Sequence, residues 1–389
     1  MMGEWFKLAE KIKSTYPGKD IVPLHEPVLS GNEKKYVDDC IEAGWVSSVG
    51  KYVDRFEENL AEYTGVKRAV AVVNGTAALQ VALKIAGVQP HDEVLMPSLT
   101  FIATANAVSY CGAKPHFVDV SNKTLGLDPV KLEDYLTDIA ILRDNVCINK
   151  YTGNIIRAVV PMHTFGHPVE LDPLIEVCER FKIVMVEDAA ESLGSFYKGV
   201  HTGNFGKVSA FSFNGNKIIT TGGGGAILTN DEKLADYAKH LTTTAKVPHQ
   251  WKYEHDEIGF NYRMPNINAA LGCAQIEQLD SFIEKKRQLV DIYEEILKEY
   301  NGIKLFKENE ASKSNYWLQT LILEDNGYDV KELLNQLNNL GIMARPVWSP
   351  IHTLEPYKKN LKSDLSVTEQ LQFNVINLPS TPYLKTGRK

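Results

Sequence analysis

Paired cysteines are missing from this chain of 389 residues. Its five cysteines stand far apart, and no two of them have the Cys-x-x-Cys spacing of a zinc or redox motif. The odd number and the wide separation exclude a disulfide framework and give no indication of a metal site. Scattered thiols of this kind are typical of a reducing compartment, so we expect a cytoplasmic protein. The cysteines are Cys40, Cys111, Cys147, Cys178 and Cys273.

Long apolar runs and an excess of basic residues are also missing. No stretch approaches the roughly 18 apolar residues of a transmembrane helix, so no membrane span is expected. Residues 1–20 spread their lysines through an amphipathic pattern, which predicts an N-terminal helical arm rather than a signal peptide. The formal net charge is −7 and no basic run occurs, which argues against a nucleic-acid partner.

Short apolar runs alternate with helical patterns over much of the chain. Hydrophobic residues make up 44% of the sequence, which is enough for a sizeable core. Such runs predict an α/β fold, with a mainly parallel sheet whose two faces are covered by helices. In a sheet of this kind the ligand binds beyond the carboxyl ends of the strands. The predicted strands are 68–73, 93–97, 115–120, 158–162, 183–187, 208–213 and 226–229.

The pattern changes near residue 250. Residues 266–301 have the apolar spacing of one long helix, residues 315–323 predict a strand, and residues 330–340 predict another helix. This succession is typical of a smaller α+β domain. The predicted parts are the N-terminal arm (1–20), a large cofactor-binding domain (21–250) and a small C-terminal domain (251–389).

A lysine and an acidic residue follow two of the predicted strands. Lys217 lies in the segment FSFNGNKIITTGGGG, and Asp188 ends the run IVMVED. An enzyme that uses pyridoxal phosphate (PLP) needs such a pair, because the amine forms a Schiff base with the cofactor and the carboxylate keeps its pyridine nitrogen protonated. Ser212 stands five residues before Lys217 and is a candidate ligand of the cofactor phosphate. The glycines at 222–225 are also typical of a plain flexible turn.

A third candidate feature lies upstream, where a predicted strand is followed by the helical segment NGTAALQVAL. Asn74 is a suitable N-cap, and Gly75 lets the backbone approach an anion closely. The free N–H groups of the helix start, together with the Thr76 hydroxyl, form a phosphate cradle. The alternative is an ordinary capped helix that is packed on both sides.

Five motifs stand in one order along the chain: NGTAAL, PSLTFIATANAV, EDAA, FSFNGNK followed by TTGGGG, and GFNYRMPNINAALG. Together they resemble the sugar aminotransferases of the DegT/DnrJ/EryC1/StrS family. The resemblance implies the fold type I architecture of PLP enzymes, with a mainly parallel large domain and a smaller α+β C-terminal domain. The stretches IVPLHEPVLSGNEKKYV, GWVSSVGKYVDRFE, PMHTFGHPV and HLTTTAKVPH look closest to the branch typified by LegC.

The resemblance also implies a reaction. We expect transfer of an amino group from L-glutamate to a 4-keto-6-deoxy sugar, with a 2-acetamido group, carried on UDP. Products of this type belong to bacterial surface glycans built on bacillosamine or legionaminic acid. One rival, a PLP-dependent sugar dehydratase, has histidine in place of Lys217. The other rival is a non-catalytic nucleotide-sugar-binding protein on the same fold, which the intact lysine, acid and serine disfavour.

Further site residues follow from the resemblance. Phe101 matches an aromatic residue that stacks on the cofactor, although it is equally typical of an apolar core. Glu191 stands near the cofactor hydroxyl, where many relatives have glutamine. Asn261 matches an asparagine that reaches the phosphate in the neighbouring subunit, which implies a homodimer with shared active sites. Asparagine at such a place is also a common turn residue.

Three residues are weaker candidates for binding the sugar. His163 follows a predicted strand, whereas Arg345 and His352 lie in the predicted small domain. A buried histidine more often has a structural role, because buried polar groups find local partners. Each of these residues therefore keeps a structural alternative.

Overall fold

The computed structural model describes residues 2–324 and 329–383. No helix in these residues is both long enough and apolar enough to cross a bilayer. The helices are α1 (Met2–Ser14), α2 (Glu33–Glu42), α3 (Lys51–Thr64), α4 (Gly75–Ile85), α5 (Ala103–Tyr110), α6 (Pro129–Ile139), α7 (Leu171–Phe181), α8 (Glu232–Thr242), α9 (Asn266–Ile276), α10 (Leu279–Leu297), α11 (Val330–Asn339) and α12 (Ser366–Leu371).

The strands form a large sheet, a smaller sheet and two minor ones. In chain order they are β1 (Arg68–Val72), β2 (Glu93–Pro97), β3 (Lys114–Val118), β4 (Ala140–Arg143), β5 (Val146–Asn149), β6 (Ile156–Val159), β7 (Val184–Asp188), β8 (Phe196–Tyr197), β9 (Val200–His201), β10 (Val208–Ser212), β11 (Gly225–Thr229), β12 (Ile303–Leu305), β13 (Ser312–Lys313), β14 (Gln319–Leu323), β15 (Arg345–Pro346) and β16 (Val375–Leu378).

The large sheet has the strand order β1-β11-β10-β7-β6-β2-β3. Only β11 runs antiparallel to its neighbours, and the other adjacent strands pair in parallel. Successive residues of a strand enter different apolar clusters, as Ala210 and Phe211 do on β10. This alternation places a packed layer on each face of the sheet. The predicted α/β fold with a mainly parallel sheet is confirmed.

The smaller sheet is antiparallel, with the strand order β12-β14-β16-β15. Helix α1 contacts α10 and α11, and its Trp5 and Ile12 share one apolar cluster with Leu321 and Ile376 of this sheet. The N-terminal arm is therefore anchored on the C-terminal part of the chain. The predicted domain limits stay predictions, and residues 325–328 and 384–389 of the predicted small domain lie outside the described residues.

The prediction of one helix over residues 266–301 is wrong. The chain forms α9 and α10 instead, with a break at Glu277 and Gln278. Glu277 accepts a hydrogen bond from Arg55 on α3 at 2.9 Å, and Gln278 donates one to Glu33 on α2 at 2.6 Å. The apolar spacing continues across the break, whereas these bonds tie the residues of the break to distant helices.

The predicted strand over residues 315–323 is too long, because β14 begins at Gln319. Nδ2 of Asn315 donates to the backbone oxygen of Glu191 at 2.9 Å, and Tyr316 has a left-handed φ of 47°. A side chain that bonds to a distant backbone competes with the sheet ladder. Residues 315–318 therefore do not pair in the small sheet. Asn315 bonds instead to the turn that follows β7 of the large sheet.

Candidate active site

A cavity of about 320 Å³ lies at the carboxyl ends of the large sheet. Asp188 and Ser212 are the last residues of the neighbouring strands β7 and β10, and both line the cavity. These strands pair in parallel, so their carboxyl ends meet at one edge of the sheet. The cavity brings together seven predicted site residues, namely Gly75, Thr76, Phe101, Asp188, Glu191, Ser212 and Lys217.

The first turn of α4 forms one end of the cavity. Asn74 caps this helix, because its Oδ1 accepts a hydrogen bond from the Ala77 N–H at 2.8 Å. The N–H groups of Gly75 and Thr76 precede the first intrahelical bond, and both residues line the cavity. An anion at this place meets free donors and the positive end of the helix dipole.

Close packing holds this helix start against β10. A Cβ atom on Gly75 would lie 2.8 Å from the Cβ and 3.1 Å from the Oγ of Ser212. Glycine is therefore the residue that lets the serine hydroxyl stand beside the free N–H groups. These donors converge in the way that a phosphate group requires.

The glycine run belongs to the same packing arrangement. Gly225 begins β11, and a Cβ atom there would lie 2.5 Å from the carbonyl carbon of Asn74 and 2.7 Å from the nitrogen of Gly75. The backbone of β11 thus touches the backbone of the helix start. At Gly225 the glycine serves this close approach, so the alternative of a plain flexible turn does not describe it.

Asp188 is buried beside the cavity. Its Oδ2 accepts a hydrogen bond from Oγ1 of Thr104 at 2.7 Å, and its Oδ1 accepts one from the Ala190 N–H at 3.2 Å. Burial raises the pKa of Asp188, whereas the two hydrogen bonds and the charge of Lys217 lower it. A cation next to this carboxyl group favours its ionised form. A pyridinium N–H is a cation of that kind.

Lys217 reaches the cavity from the loop after β10. Its Nζ lies 3.1 Å from Oε1 of Glu191 and 4.1 Å from the ring centre of Trp317. The indole Nε1 donates to the backbone oxygen of Asn216 at 2.7 Å, which fixes the ring. Burial raises the pKa of Glu191 to about 7, and the charge of Lys217 opposes that shift. A carboxyl group and an aromatic face therefore hold the amine in one position.

Aromatic side chains form the remaining wall of the cavity. Phe101 is 52% exposed, which excludes the alternative of a core residue. Trp317 and Trp348 also line the cavity, and Phe165 packs on Trp348 with ring centres 4.8 Å apart. The sequence analysis missed both tryptophans, because they lie 100 and 131 residues beyond the lysine in the chain. The signal was weak, because Trp317 stands in the predicted strand 315–323 and Trp348 in a short segment between two prolines.

The three predicted sugar-binding residues are not among the described residues that line the cavity. His163 is buried, and its Nε2 lies 3.0 Å from Oε2 of Glu187, as the structural alternative predicts. Nδ1 of His352 lies 2.8 Å from Oγ of Ser98. Arg345 is exposed and donates to a side chain of α11. A direct role in binding the sugar therefore stays a prediction for each of them.

Asn261 lies at the base of an arm, residues 243–261, whose outer part, residues 248–258, is exposed. Two bridges close the arm, one between Thr243 and Asn261 and one between Lys246 and His255. Asn261 is exposed and does not line the cavity of its own chain within the described residues. Its predicted contact with a phosphate group requires a second chain.

Comparison with known proteins assigns the chain to a family. Residues 27–388 match the DegT/DnrJ/EryC1/StrS aminotransferase family. The chain belongs to this family. A GDP-perosamine synthase of Escherichia coli O157:H7 is 39% identical over 363 residues, which are 93% of this chain and 94% of the relative.

Two further proteins are similar to this chain over most of its length. A UDP-4-amino-4,6-dideoxy-N-acetyl-beta-L-altrosamine transaminase of Campylobacter jejuni is 33% identical over 314 residues, which are 80% of each chain. The solved structure of Helicobacter pylori PseC, an aminotransferase involved in the biosynthesis of pseudoaminic acid, has a TM-score of 0.84 and 27% identity. That match covers 94% of this chain and 95% of PseC.

These matches confirm the predicted family, the fold type I architecture, the use of PLP and the aminotransferase activity. The closeness to the LegC branch stays a prediction. The residues present fit PLP, because the helix start with Ser212 suits a phosphate group and buried Asp188 suits a pyridinium. Lys217 would then hold the aldehyde carbon. Bound PLP supplies an electrophilic carbon and a ring that accepts electrons from the substrate.

Proposed function

We propose that this DegT-family enzyme transfers an amino group from L-glutamate to C4 of a nucleotide-linked 4-keto-6-deoxy sugar. The observation that carries the proposal is the convergence of Lys217, Asp188 and the helix start at Gly75 on one cavity. Relatives that are named for amino-sugar products support sugars as the substrate class.

For the finer substrate, we propose a UDP-linked sugar with a 2-acetamido group, used in a bacterial surface glycan of the bacillosamine or legionaminic acid type. The LegC-like stretches and the name of the Campylobacter relative support UDP. GDP is the second candidate, because the Escherichia coli relative named for a GDP sugar has the higher identity, 39% against 33%. Five free cysteines support the proposal of a cytoplasmic reaction.

Lys217 carries out two proton transfers in the proposed reaction. Its Nζ is placed to take the proton from the α-carbon of glutamate and, later, to deliver a proton to C4 of the sugar. One amine performs both because the two half-reactions run in opposite directions. Trp317, Trp348 and Phe101 line the cavity with apolar rings and limit the access of water to the reacting carbon.

A substrate panel tests this function. The purified enzyme with PLP receives nitrogen-labelled glutamate and either a UDP-linked or a GDP-linked 4-keto-6-deoxy sugar, and mass spectrometry follows the label. We expect label in the sugar with one of the two nucleotides and formation of 2-oxoglutarate in equal amount. Loss of water without label would instead identify the dehydratase, and binding without any product would identify the non-catalytic protein.

We also propose a homodimer in which Asn261 of one chain completes the phosphate pocket around Lys217 of the other. The exposed arm supports this arrangement, because Trp251, Tyr253 and Ile258 are 72%, 84% and 85% exposed. Apolar side chains that crowd one exposed segment are typical of an interaction surface.

Subunit exchange tests the shared site. We expect Lys217→Ala and Asn261→Trp dimers each to be inactive, and an exchanged mixture to regain activity. The mixed dimer carries both lesions in one site and neither in the other, so an equal mixture should regain roughly a quarter of the wild-type rate. Mixed dimers that form by mass measurement but stay inactive would show that Asn261 does not act across the interface.

A further inference from the structure

Glu191 joins the reacting amine to a turn of the backbone. Its Oε1 lies 3.1 Å from Nζ of Lys217, and its Oε2 accepts a hydrogen bond from the Phe165 N–H at 2.9 Å. The side chain is 1% exposed. One carboxyl oxygen is therefore engaged by the backbone, and the other faces the amine.

The turn that holds Glu191 is firmly anchored. Phe165 has φ 55° and ψ 19°, a left-handed conformation that is unusual for an aromatic residue. The backbone oxygen of the next residue, Gly166, accepts hydrogen bonds from the hydroxyls of Ser195 at 2.7 Å and Ser314 at 2.9 Å. Because these contacts fix the direction of the Phe165 N–H, they also fix the orientation of the Glu191 carboxyl group.

Few charges face this carboxyl group among the described residues. Asp188 on β7 raises the pKa of Glu191, and Lys217 lowers it. His25 interacts with the charges of both Lys217 and Lys286, and burial lowers the pKa of His25 and of Lys286 well below their usual values. Lys217 is the cation that balances the Glu191 carboxylate.

Lys217 loses its charge when its nitrogen forms a neutral imine with a carbonyl carbon, because two ammonium protons leave in water and the third must go to a base. A buried carboxylate whose cationic partner is lost is strongly disfavoured. The ammonium proton that must leave has an acceptor 3.1 Å away, and no rearrangement of the backbone is needed to reach it.

We propose that Glu191 takes up the proton that Lys217 gives off when it condenses with an aldehyde, and returns that proton when the amine is freed. The nitrogen keeps its electron pair for the bond to carbon. Two of the three ammonium protons leave with the aldehyde oxygen as water, and the third passes to Oε1 of Glu191. The inference rests on the proposed role of Lys217 as the residue that binds the cofactor.

The pKa of Glu191 defines the pH range in which this transfer occurs. Burial raises it to about 7, so below that pH the carboxyl group already carries a proton in the cofactor-free enzyme. Above it, the group is a carboxylate that is ready to accept the proton of Lys217. The proton therefore passes from Lys217 to Glu191 only above about pH 7.

Proton release on cofactor binding tests the proposal without any turnover. PLP is added to the cofactor-free enzyme in weak buffer that contains a pH indicator, and the wild type is compared with Glu191→Gln. Glutamine keeps the size of the side chain and an acceptor for the Phe165 N–H but cannot bind a proton. Above about pH 7 we expect the variant to release about one proton per chain more than the wild type, with the difference vanishing at lower pH.

Infrared difference spectra identify the proton carrier directly. Addition of saturating PLP to the wild type should produce the band of a protonated carboxyl group. That band should be absent in Glu191→Gln and present in Asp188→Asn, which removes the other buried carboxyl group of the site. A wild type without the band, or a band that persists in Glu191→Gln, would overturn the proposal. Lys217→Ala separates the two roles: borohydride reduction of this variant with PLP should attach no cofactor to the chain, and cofactor attached to another lysine would refute the role of Lys217 itself.

Discussion

Replacement of Gly225 by alanine tests how the phosphate end of the site is built. The added Cβ atom would lie 2.5 Å from the carbonyl carbon and 2.6 Å from the carbonyl oxygen of Asn74, and 2.7 Å from the nitrogen of Gly75. All three atoms belong to the backbone, so a side-chain rotation cannot relieve the contact. The start of α4 must move away from β11.

The size of the effect follows from the kind of contact. Overpacking by one methyl group against a fixed backbone costs about 1–3 kcal/mol. The displaced N–H groups also lose their alignment with an anion, and a weakened hydrogen bond to a charged group corresponds to about a tenfold or greater loss of PLP affinity. We therefore expect Gly225→Ala to lower both the melting temperature of the cofactor-free enzyme and its affinity for PLP.

Gly223 provides a matched control in the same glycine run. No atom lies within 4 Å of a Cβ atom built on Gly223, and its φ is not in the left-handed region. Alanine there should leave stability unchanged or raise it by about 0.5 kcal/mol through the unfolded state. Both variants are melted at one protein concentration and titrated with PLP by absorbance. Equal behaviour of the two variants would refute the packing argument.

Three further predictions concern the residues that face the cofactor. Lys217→Ala should abolish turnover, and borohydride reduction of the wild type with peptide mapping should place PLP on Lys217; label on another lysine would contradict the assignment. Asp188→Asn should keep the circular dichroism of the wild type and lower kcat at least roughly 100-fold, as the loss of an electrostatic partner does at a reacting centre. Thr104→Val removes a hydrogen bond to Oδ2 of Asp188. The pKa of Asp188 should rise, so the acid limb of the kcat/KM profile should move to higher pH, and an unchanged limb would refute the contribution of Thr104.

Local patterns of the sequence predicted the large sheet well. The strands that end at Asp188 and Ser212 and the helix capped by Asn74 are specified by short apolar runs and a capping residue. Parallel pairing then requires that their carboxyl ends meet, so the cofactor cavity follows from the order of these segments. Prediction was weaker after residue 250, where one continuous apolar pattern covers both α9 and α10 and the predicted strand before residue 319 is drawn out of the sheet.

The sequence by itself determined the family, the α/β fold and the set of lysine, acid and serine at the strand ends, because these features depend on spacing within short segments. The tertiary structure decided which other side chains contact this lysine, acid and serine. It brought Trp317 and Glu191 to the Lys217 amine, and among the described residues it left Arg345 and His352 out of the cavity lining. These contacts join segments that are far apart in the chain, and no local pattern encodes the distance between them.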